Sequence, residues 1–386
     1  MKTQRREQSE TAPDARRLMF VVSEDWYFVS HRFDLAKEAL LEGWTVIVAC
    51  RRAASVEEIE AAGVGWREWN ISRGSINPLK LLHSSWALRK EIKEFKPHQI
   101  HAVSIVTVAV TRLALIGLSN ISLVSTVAGL GRFSSTNIVL QIFLKPSLKA
   151  FGRWVSSIGE SWLVVQNSDD FAMLSSGISN PQRILLIQGS GINPAEFPPI
   201  PAAAKEPVTI TLMARMIRDK GIAEFVQALE ILAARGLSVQ GLLVGKPDSG
   251  NPRSLSPEEL EILTAGTPVE WLGHRDDGYQ IIVETDIVCL PTYYGEGIPR
   301  VLLEAGCVGR PVVSCRVPGP KDLIREGFDG LLVDPQDVGE LADALEKLVT
   351  NPSLRREMGE ALRDRVVREF SNTKILASYL GLYHSP

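Results

Sequence analysis

Segments with the character of buried strands alternate with helical segments along almost the whole chain, and no other feature constrains the fold as strongly. RLMFVVS precedes a predicted helix at 31–42 and then WTVIVAC, and a later predicted helix at 257–264 precedes VEWLG and DIVCLPT. Parallel strands need crossover connections of a dozen or more residues, which are usually helices. The alternation therefore predicts an α/β protein whose parallel sheets are covered by helices on both faces.

One proline-rich interruption divides this pattern in two. GINPAEFPPIPAAAKEP contains five prolines and no periodic apolar spacing, which is typical of a linker. Because 386 residues exceed what a single core usually holds, we predict two Rossmann-like, doubly wound domains that face each other across a cleft. The predicted parts are a disordered tail at 1–17, a first domain at 18–192, the linker at 193–207, a second domain at 208–370 and a C-terminal helix at 371–386 that returns to the first domain.

The charge balance and the cysteines exclude several classes of protein. With 42 Lys and Arg against 45 Asp and Glu, the chain is not a globally basic nucleic-acid binder. The four cysteines form no C-x-x-C pair and lie in or beside apolar segments, which favours buried thiols in the reducing cytoplasm over a zinc site. LMFVV is too short for a signal peptide, and no apolar run has the length of a membrane span.

The stretch EGIPRVLLEAGCVGRPVVSC holds two carboxylates, Glu296 and Glu304, eight residues apart. Pro299 suits the first turn of a helix, Gly309 suits its end, and PVVSC reads as a buried strand. Carboxylate oxygens accept hydrogen bonds from pairs of hydroxyls, so the two residues are candidates to hold the two sugars of a nucleotide sugar. The alternative is an ordinary α/β repeat with two solvated glutamates.

A second stretch, ARMIRDKG, places Arg215 and Lys220 directly after the first strand of the second domain. A strand end that opens onto a helix N-terminus suits an anion, and two added cations make a clamp for a diphosphate. The alternative is a solvated basic loop. The chain has no G-x-G-x-x-G after its first strand, no Walker A sequence and no D-x-D, so we expect no NAD, no metal and no other cofactor.

Together these motifs resemble those of the retaining glycosyltransferases of family 4, which have the GT-B fold. ARMIRDKG is similar to the family's R-x4-K pair and EGIPRVLLEAGCVGRPVVS to its E-x7-E motif, and the resemblance covers nearly all of 18–384. It implies that Glu304 holds the ribose hydroxyls and Glu296 those of the donor sugar. Arg215 and Lys220 would stabilise the diphosphate leaving group, and these two residues with Glu296 are the predicted catalytic set.

The resemblance also implies further donor contacts. Gly297 and Ile298 adjoin the first glutamate of the E-x7-E motif and are predicted to lie near the donor. His274 and Arg275 follow VEWLG and are predicted to lie beside the nucleotide base.

The first domain matches the family less closely. SEDWYFVSHRFDLA replaces the usual glycine-rich loop and resembles a subgroup with a His-Arg pair, so His31 and Arg32 are candidate contacts of the acceptor or the phosphates. The alternative is the start of a surface helix. In STVAGLG an alanine stands where many members have a histidine, so backbone groups from Gly129 to Gly131 are expected to serve instead. His101, at the end of the strand QIHA, is a candidate for the cleft, although such a histidine is more often structural.

Residues 132–158 combine aromatic side chains with cations and hold no acid, and they include Lys145, Lys149, Arg153 and Trp154. Such a segment suits an anionic membrane surface. The alternative is a pair of helices packed on the first domain with their basic sides in solvent. Membrane contact favours a polyprenyl-diphosphate-linked saccharide acceptor and a peripheral position at the cytoplasmic face of the membrane.

The resemblance implies a hexosyltransferase that moves a hexose or N-acetylhexosamine from a UDP-sugar, with retention, in surface-polysaccharide or glycan biosynthesis. Because no D-x-D is present and cationic side chains can neutralise the diphosphate, we expect this activity to need no divalent metal. Two other interpretations stay open. A nucleotide-sugar 2-epimerase shares the fold but needs a water-activating acid or base and no acceptor site. A non-catalytic subunit that binds sugar nucleotides would tolerate loss of the two cations or of either glutamate, and all four residues are present.

Overall fold

The computed structural model describes residues 16–71, 77–127, 129–130, 138–156, 160–176, 180–200, 206–248 and 250–384. The side chains of 138–145 and 156 are outside the description. Some of the residues named above therefore lie outside the described part of the chain: Gly131, the side chain of Lys145, residues 1–15 of the predicted tail and residues 201–205 of the predicted linker.

The described part of the first domain contains one parallel sheet. Its seven strands are β1 (Arg17–Glu24), β2 (Thr45–Arg51), β3 (Gly65–Glu68), β4 (Gln99–Val103), β5 (Ser122–Val127), β6 (Ser161–Val165) and β7 (Ile184–Leu186). Their order in the sheet is β3-β2-β1-β4-β5-β6-β7. The helices of this half are α1 (Asp25–Leu41), α2 (Val56–Ala61), α3 (Pro78–Phe95), α4 (Ile105–Ala114), α5 (Ile138–Ser156) and α6 (Ser168–Ser175).

The second domain repeats this plan. Its strands are β8 (Val208–Met213), β9 (Val239–Val244), β10 (Val269–Trp271), β11 (Ile287–Leu290), β12 (Val312–Cys315) and β13 (Leu331–Val333), in the parallel order β10-β9-β8-β11-β12-β13. Its helices are α7 (Ile222–Ala234), α8 (Pro257–Thr264), α9 (Gly278–Glu284), α10 (Arg300–Val308), α11 (Pro320–Leu323), α12 (Val338–Val349) and α13 (Pro352–Glu369), and α14 (Asn372–His384) follows. The predicted architecture of two doubly wound parallel sheets is confirmed.

Local signals explain where several of these helices begin and end. Ser256 and Glu259 form a capping box at the start of α8, in which the serine hydroxyl accepts the Glu259 N–H and the glutamate accepts the Ser256 N–H. Helix α10 ends at Gly309, whose φ of +85° is costly for residues with a side chain. Pro299, predicted in the first turn of α10, is instead its N-cap.

The first helix begins earlier than the sequence pattern predicts. The pattern puts its start at residue 31, but α1 begins at Asp25, directly after β1. The buried Asp25 carboxylate accepts backbone N–H groups from Trp26 at 2.6 Å, Ala53 at 2.8 Å and Ser55 at 2.9 Å. Two of these donors lie after β2, so the helix start depends on a contact that local spacing does not reveal.

The chain crosses between the domains twice, at adjacent positions. The backbone N–H of Ile192 donates to the carbonyl of Phe370 at 3.1 Å, and the N–H of Asn372 donates to the carbonyl of Ile192 at 2.8 Å. The two crossing segments are therefore joined side by side by backbone hydrogen bonds.

Helix α14 packs against the first domain. Its side chains Ile375, Tyr379, Leu382 and Tyr383 are buried in one apolar core with residues of β1 and α1. The last helix of the chain thus completes the core of the first domain.

The segment predicted to touch a membrane contains α5, whose described aromatic side chains face inward. Phe151 and Trp154 pack against an apolar core of the first domain, and the carbonyl of Trp154 accepts from Arg112 at 2.9 Å. Trp154 is half-buried on the protein, and its contact with a membrane remains a prediction. Lys149 is half-buried and Arg153 is exposed. No helix in the described ranges is both long and apolar enough to span a bilayer.

The cysteines are structural. All four are buried free thiols, and burial raises the pKa of Cys50 and of Cys315 to about 12. They are protonated and unreactive at neutral pH. Among the described residues, no three His, Cys, Asp or Glu side chains are grouped as metal ligands.

Candidate active site

Lys220 and Glu296 meet at the carboxyl end of the second sheet. Lys220 follows β8 on a short turn, and Glu296 lies in the loop after β11. The Lys220 ammonium donates to Glu296 Oε1 at 2.5 Å and lies 5.1 Å from the ring centre of Tyr294. Lys220 is only 7% exposed. The alternative of a solvated basic loop is therefore wrong for this residue.

The Lys220 ammonium remains charged in spite of its burial. Burial lowers its pKa, but the attraction of the Glu296 carboxylate, with a further contribution from Tyr294, leaves the pKa above its ordinary value. Burial also raises the pKa of the Tyr294 phenol, and the negative charge of Glu296 acts in the same direction. The cleft thus holds a charged ammonium, paired with a carboxylate, in a partly water-excluded position where electrostatic interactions are strong.

Arg215, two residues after β8, belongs to the same cluster of charges. Its Nη1 donates to Asp248 Oδ2 at 2.5 Å, and its side chain is 42% exposed. It is close enough to lower the pKa of both Lys220 and His31. The two predicted diphosphate contacts therefore lie in one region of the cleft, and an incoming anion would compete with Asp248 for Arg215.

Glu304 lies on α10 and is engaged by a cation from the same helix. Arg300 Nε donates to Glu304 Oε1 at 2.8 Å, and Arg300 Nη1 donates to the carbonyl of Ser30 on α1 at 2.5 Å. Arg300 thus connects the two domains across the cleft. No side chain caps the first turn of α10, so the helix start that follows Gly297 and Ile298 keeps N–H groups for an anion.

The first domain holds the backbone of Glu296. Gly129 has φ +133°, and a Cβ built on it would lie 2.8 Å from the Glu296 Cα. Asn167 Nδ2 donates to the Glu296 carbonyl at 3.2 Å and to Asp170 Oδ2 at 2.8 Å. Asp170 Oδ2 also accepts the Leu130 N–H at 2.9 Å. Because these contacts join the two domains, the position of Glu296 depends on how the domains lie against each other.

His31 lies within α1 and faces the same cluster. Its ring stacks on Tyr27 with 4.4 Å between ring centres, and its position inside the helix rules out the alternative of a surface helix start. Burial, followed by the positive charges of Arg32 and Arg300, lowers the pKa of His31 to about 3. The imidazole is therefore neutral at neutral pH, with one donor and one acceptor nitrogen.

Replacing His31 by glutamine is expected to weaken the dependence of stability on acid pH. The unfolded histidine takes up a proton below about pH 6.5, whereas the folded one does so only near pH 3. The free energy of unfolding therefore falls as the pH drops from 6.5 towards 3, and His31→Gln should lose less stability between pH 7.5 and pH 5. Urea unfolding at both pH values tests this, with His274→Gln as the control. Equal losses in His31→Gln and wild type would contradict the burial of a neutral His31.

His101 and Arg32 lie deeper than predicted. His101 is fully buried, with Nδ1 at 2.6 Å from the Tyr383 hydroxyl and Nε2 at 2.8 Å from Thr126 Oγ1, so its predicted place in the cleft is wrong. Arg32 is 2% exposed and stacks over the Tyr379 ring at 5.2 Å. It also lines a cavity of about 190 Å³ between α1 and α14, and its contact with the acceptor remains a prediction.

His274 and Arg275 lie on the exposed loop after β10. His274 Nε2 is 3.3 Å from Asp276 Oδ1. Arg275 makes a bidentate ion pair with Asp277, through Nε at 2.8 Å and Nη2 at 2.6 Å. Their contact with a nucleotide base remains a prediction.

Several groups at the site are not among the residues predicted from the sequence. Tyr294 stands in the motif CLPTYYGEG, and Asn167 begins the N-cap pattern NSDD, so both residues could have been selected from the sequence. No pattern in the sequence points to Asp248 or to the bridging role of Arg300.

Two Rossmann-like domains whose parallel sheets face a shared cleft are the architecture of the GT-B fold. The family model "Glycosyl transferases group 1" matches residues 195–365, and "Glycosyl transferase 4-like" matches residues 17–150. Together the two matches cover most of the sequence. The chain belongs to the group 1 glycosyltransferases.

Curated relatives agree with this family, and a solved structure agrees with the fold. An N,N'-diacetylbacillosaminyl-diphospho-undecaprenol α-1,3-N-acetylgalactosaminyltransferase of Campylobacter jejuni is 26% identical over 82% of this chain and 84% of its own length. The capsular polysaccharide glycosyltransferase CapM of Staphylococcus aureus is 29% identical, and the match spans about half of each chain, 46% of both. The Anabaena protein HepE, solved with UDP and glucose, aligns with a TM-score of 0.75 over 96% of this chain and 99% of its own, at 16% identity.

Proposed function

We propose that this protein transfers a hexose or N-acetylhexosamine from a UDP-sugar to a lipid-linked saccharide, with retention, at the inner face of a membrane during surface-polysaccharide or glycan biosynthesis. The observation that carries the proposal is the buried, charged Lys220 against Glu296, with Arg215 and Glu304 at the same cleft. The UDP and glucose bound to HepE support the donor, and the diphospho-undecaprenol in the name of the Campylobacter relative supports the acceptor class.

In this mechanism the cleft contributes electrostatic stabilisation and no covalent nucleophile. The bond between the anomeric carbon and the diphosphate oxygen breaks while a bond to the acceptor oxygen forms on the same face, and a leaving-group oxygen takes the acceptor proton. Lys220 and Arg215 stabilise the charge that grows on the diphosphate. Glu304 accepts hydrogen bonds from the ribose and Glu296 from the donor sugar. Because cations and helix N–H groups offset the diphosphate charge, the reaction proceeds without a divalent metal.

A panel of UDP- and GDP-sugars, incubated with the protein without acceptor and in EDTA, tests the proposal. We expect one UDP-sugar to be hydrolysed slowly to UDP and a free sugar of retained anomeric configuration, at a rate that added Mg²⁺ or Mn²⁺ does not raise. Activity that disappears in EDTA and returns with Mg²⁺ or Mn²⁺ would contradict the metal-independent mechanism.

The same panel separates the two alternatives. An epimerase would convert a UDP-N-acetylhexosamine at carbon 2. A non-catalytic subunit would bind a sugar nucleotide in calorimetry and turn over none of them.

A further inference from the structure

We infer that the exposed face of α3 is the surface by which this protein contacts an anionic lipid bilayer. Leu79, Leu82 and Trp86 on this helix are 77%, 56% and 69% exposed. Their spacing of three and four residues puts all three side chains on one side of the helix. We refer to these three residues as the α3 apolar stripe.

The grouping of these residues distinguishes the stripe from the other exposed apolar side chains of the described residues. Other large apolar side chains are as exposed, such as Leu41 on α1 at 80% and Ile262 on α8 at 76%, but each is the single such residue in its own turn. Single exposed apolar residues are ordinary on soluble proteins, whereas a contiguous group indicates an interaction surface.

Cations extend the stripe along the helix. Lys90 and Lys93 are exposed on the same side, one and two turns beyond Trp86, and Lys80 is exposed beside the first turn. Of the two acids on α3, Glu91 is half-buried and lies 3.8 Å from Arg67, and Glu94 is exposed beside Lys90 and Lys93. With Lys80, three exposed lysines stand against one exposed acid on this helix. Mixed lysines, leucines and a tryptophan suit the headgroup level of an anionic bilayer, where the indole and leucines enter the interface and the lysines meet lipid phosphates.

A cavity beside the first turn of α3 connects the stripe to the sheet. It has a volume of about 420 Å³ and is lined by the apolar side chains of Ile71, Leu79 and Leu81 and by the cations Lys80 and Arg51, of which Arg51 is paired with Glu24 at 2.5 Å. It lies at the carboxyl ends of β2 and β3, the edge of the sheet that faces the cleft in doubly wound folds. An apolar recess with cations at its rim suits the phosphate of a lipid. The assignment of the recess to a lipid phosphate rests on the proposed lipid-linked acceptor.

A bilayer fits the stripe better than a protein partner does. Stable protein interfaces involve about 20–30 residues on each side, and the stripe with its lysines is much smaller. In the described side chains of α5, 146–155, the aromatic residues Phe151 and Trp154 are half-buried against the core of the first domain.

Vesicle sedimentation of the full chain tests the inference. The wild type is expected to bind vesicles of phosphatidylcholine with phosphatidylglycerol and to bind pure phosphatidylcholine weakly. Leu82→Ser combined with Trp86→Ser should lower partitioning by about tenfold or more. Ile262→Ser, which removes an equally exposed side chain from the second domain, should leave binding unchanged. Thermal unfolding midpoints close to wild type would show that the variants fold.

Charge variants form a second arm of the experiment. Lys90→Gln combined with Lys93→Gln should weaken binding by about thirtyfold at low salt, whereas Lys149→Gln combined with Arg153→Gln on α5 should have little effect. The inference is overturned if the wild type binds no vesicle, or if the α5 pair abolishes binding while the α3 variants retain it. It is also overturned if the stripe variants only dissociate a dimer, since the surface would then join copies of the chain.

Donor hydrolysis is measured without vesicles, so the two proposals fail separately. Hydrolysis by a wild type that binds no vesicle would refute the membrane surface and the proposed position at a membrane, and would leave the proposed sugar transfer standing. Vesicle binding without hydrolysis of any donor would refute the proposed function alone.

Discussion

Lys220→Ala is expected to lower kcat by about 10²–10³, the usual cost of removing one preorganised group that stabilises developing charge. Charge on the diphosphate grows only as the glycosidic bond breaks, so the loss should appear mainly in kcat, with a much smaller change in donor KM. Steady-state kinetics with the donor identified by the sugar-nucleotide panel measures both constants.

The ion pair with Glu296 adds a stability effect that must be separated from this loss. Alanine leaves the Glu296 carboxylate without its cation, and the cost is below the roughly 3–5 kcal/mol of a fully buried pair because the Glu296 side chain is 21% exposed. Arg218→Ala, which removes an exposed cation two residues away, is the matched control and should leave kcat near wild type. A loss below about threefold in a folded Lys220→Ala protein would contradict the role of Lys220 at the diphosphate.

Gly129→Ala is expected to lower kcat/KM by about a hundredfold through the position of Glu296. The new Cβ would lie 2.8 Å from the Glu296 Cα, and the φ of +133° is unfavourable for alanine. The two loops must separate, and a displacement of about 1 Å at a catalytic group costs on the order of 10²-fold in rate. Kinetics with the donor, together with the thermal unfolding midpoint, measures the effect.

Gly236→Ala separates the clash from the backbone strain. Gly236 also has a positive φ, +80°, but a Cβ there meets nothing within 4 Å. It should reduce stability slightly and leave kcat/KM unchanged. If both glycine variants lose the same activity, the contact between Gly129 and Glu296 does not position the catalytic groups.

The fold was predictable where its signals are local. Helix α8 has the predicted bounds because Ser256, Pro257 and Glu259 encode its start within four residues. The strand–helix alternation in turn implied two parallel sheets. The start of α1 was missed because the Asp25 carboxylate that stabilises it bonds to Ala53 and Ser55, nearly thirty residues away.

The sequence indicated several charged residues of the candidate site, but not which of them contact each other. Motif spacing put Lys220 and Glu296 in one domain, yet their ion pair joins positions 76 residues apart. Asn167 reaches the carbonyl of Glu296 across 129 residues and from the other domain. His101 became a core residue because Tyr383, 282 residues later, packs on it. Such outcomes depend on domain closure and on the return of α14, which no local pattern encodes.

The return of α14 also has a consequence for synthesis. The first domain leaves the ribosome early, but the part of its core that contains Tyr379 and Tyr383 is missing until α14 emerges. The second domain, whose strands all precede α14, can close its own core sooner. A nascent or truncated chain that ends before Asn372 would leave apolar surface of β1 and α1 uncovered and prone to aggregate. The half of the protein made first therefore matures last.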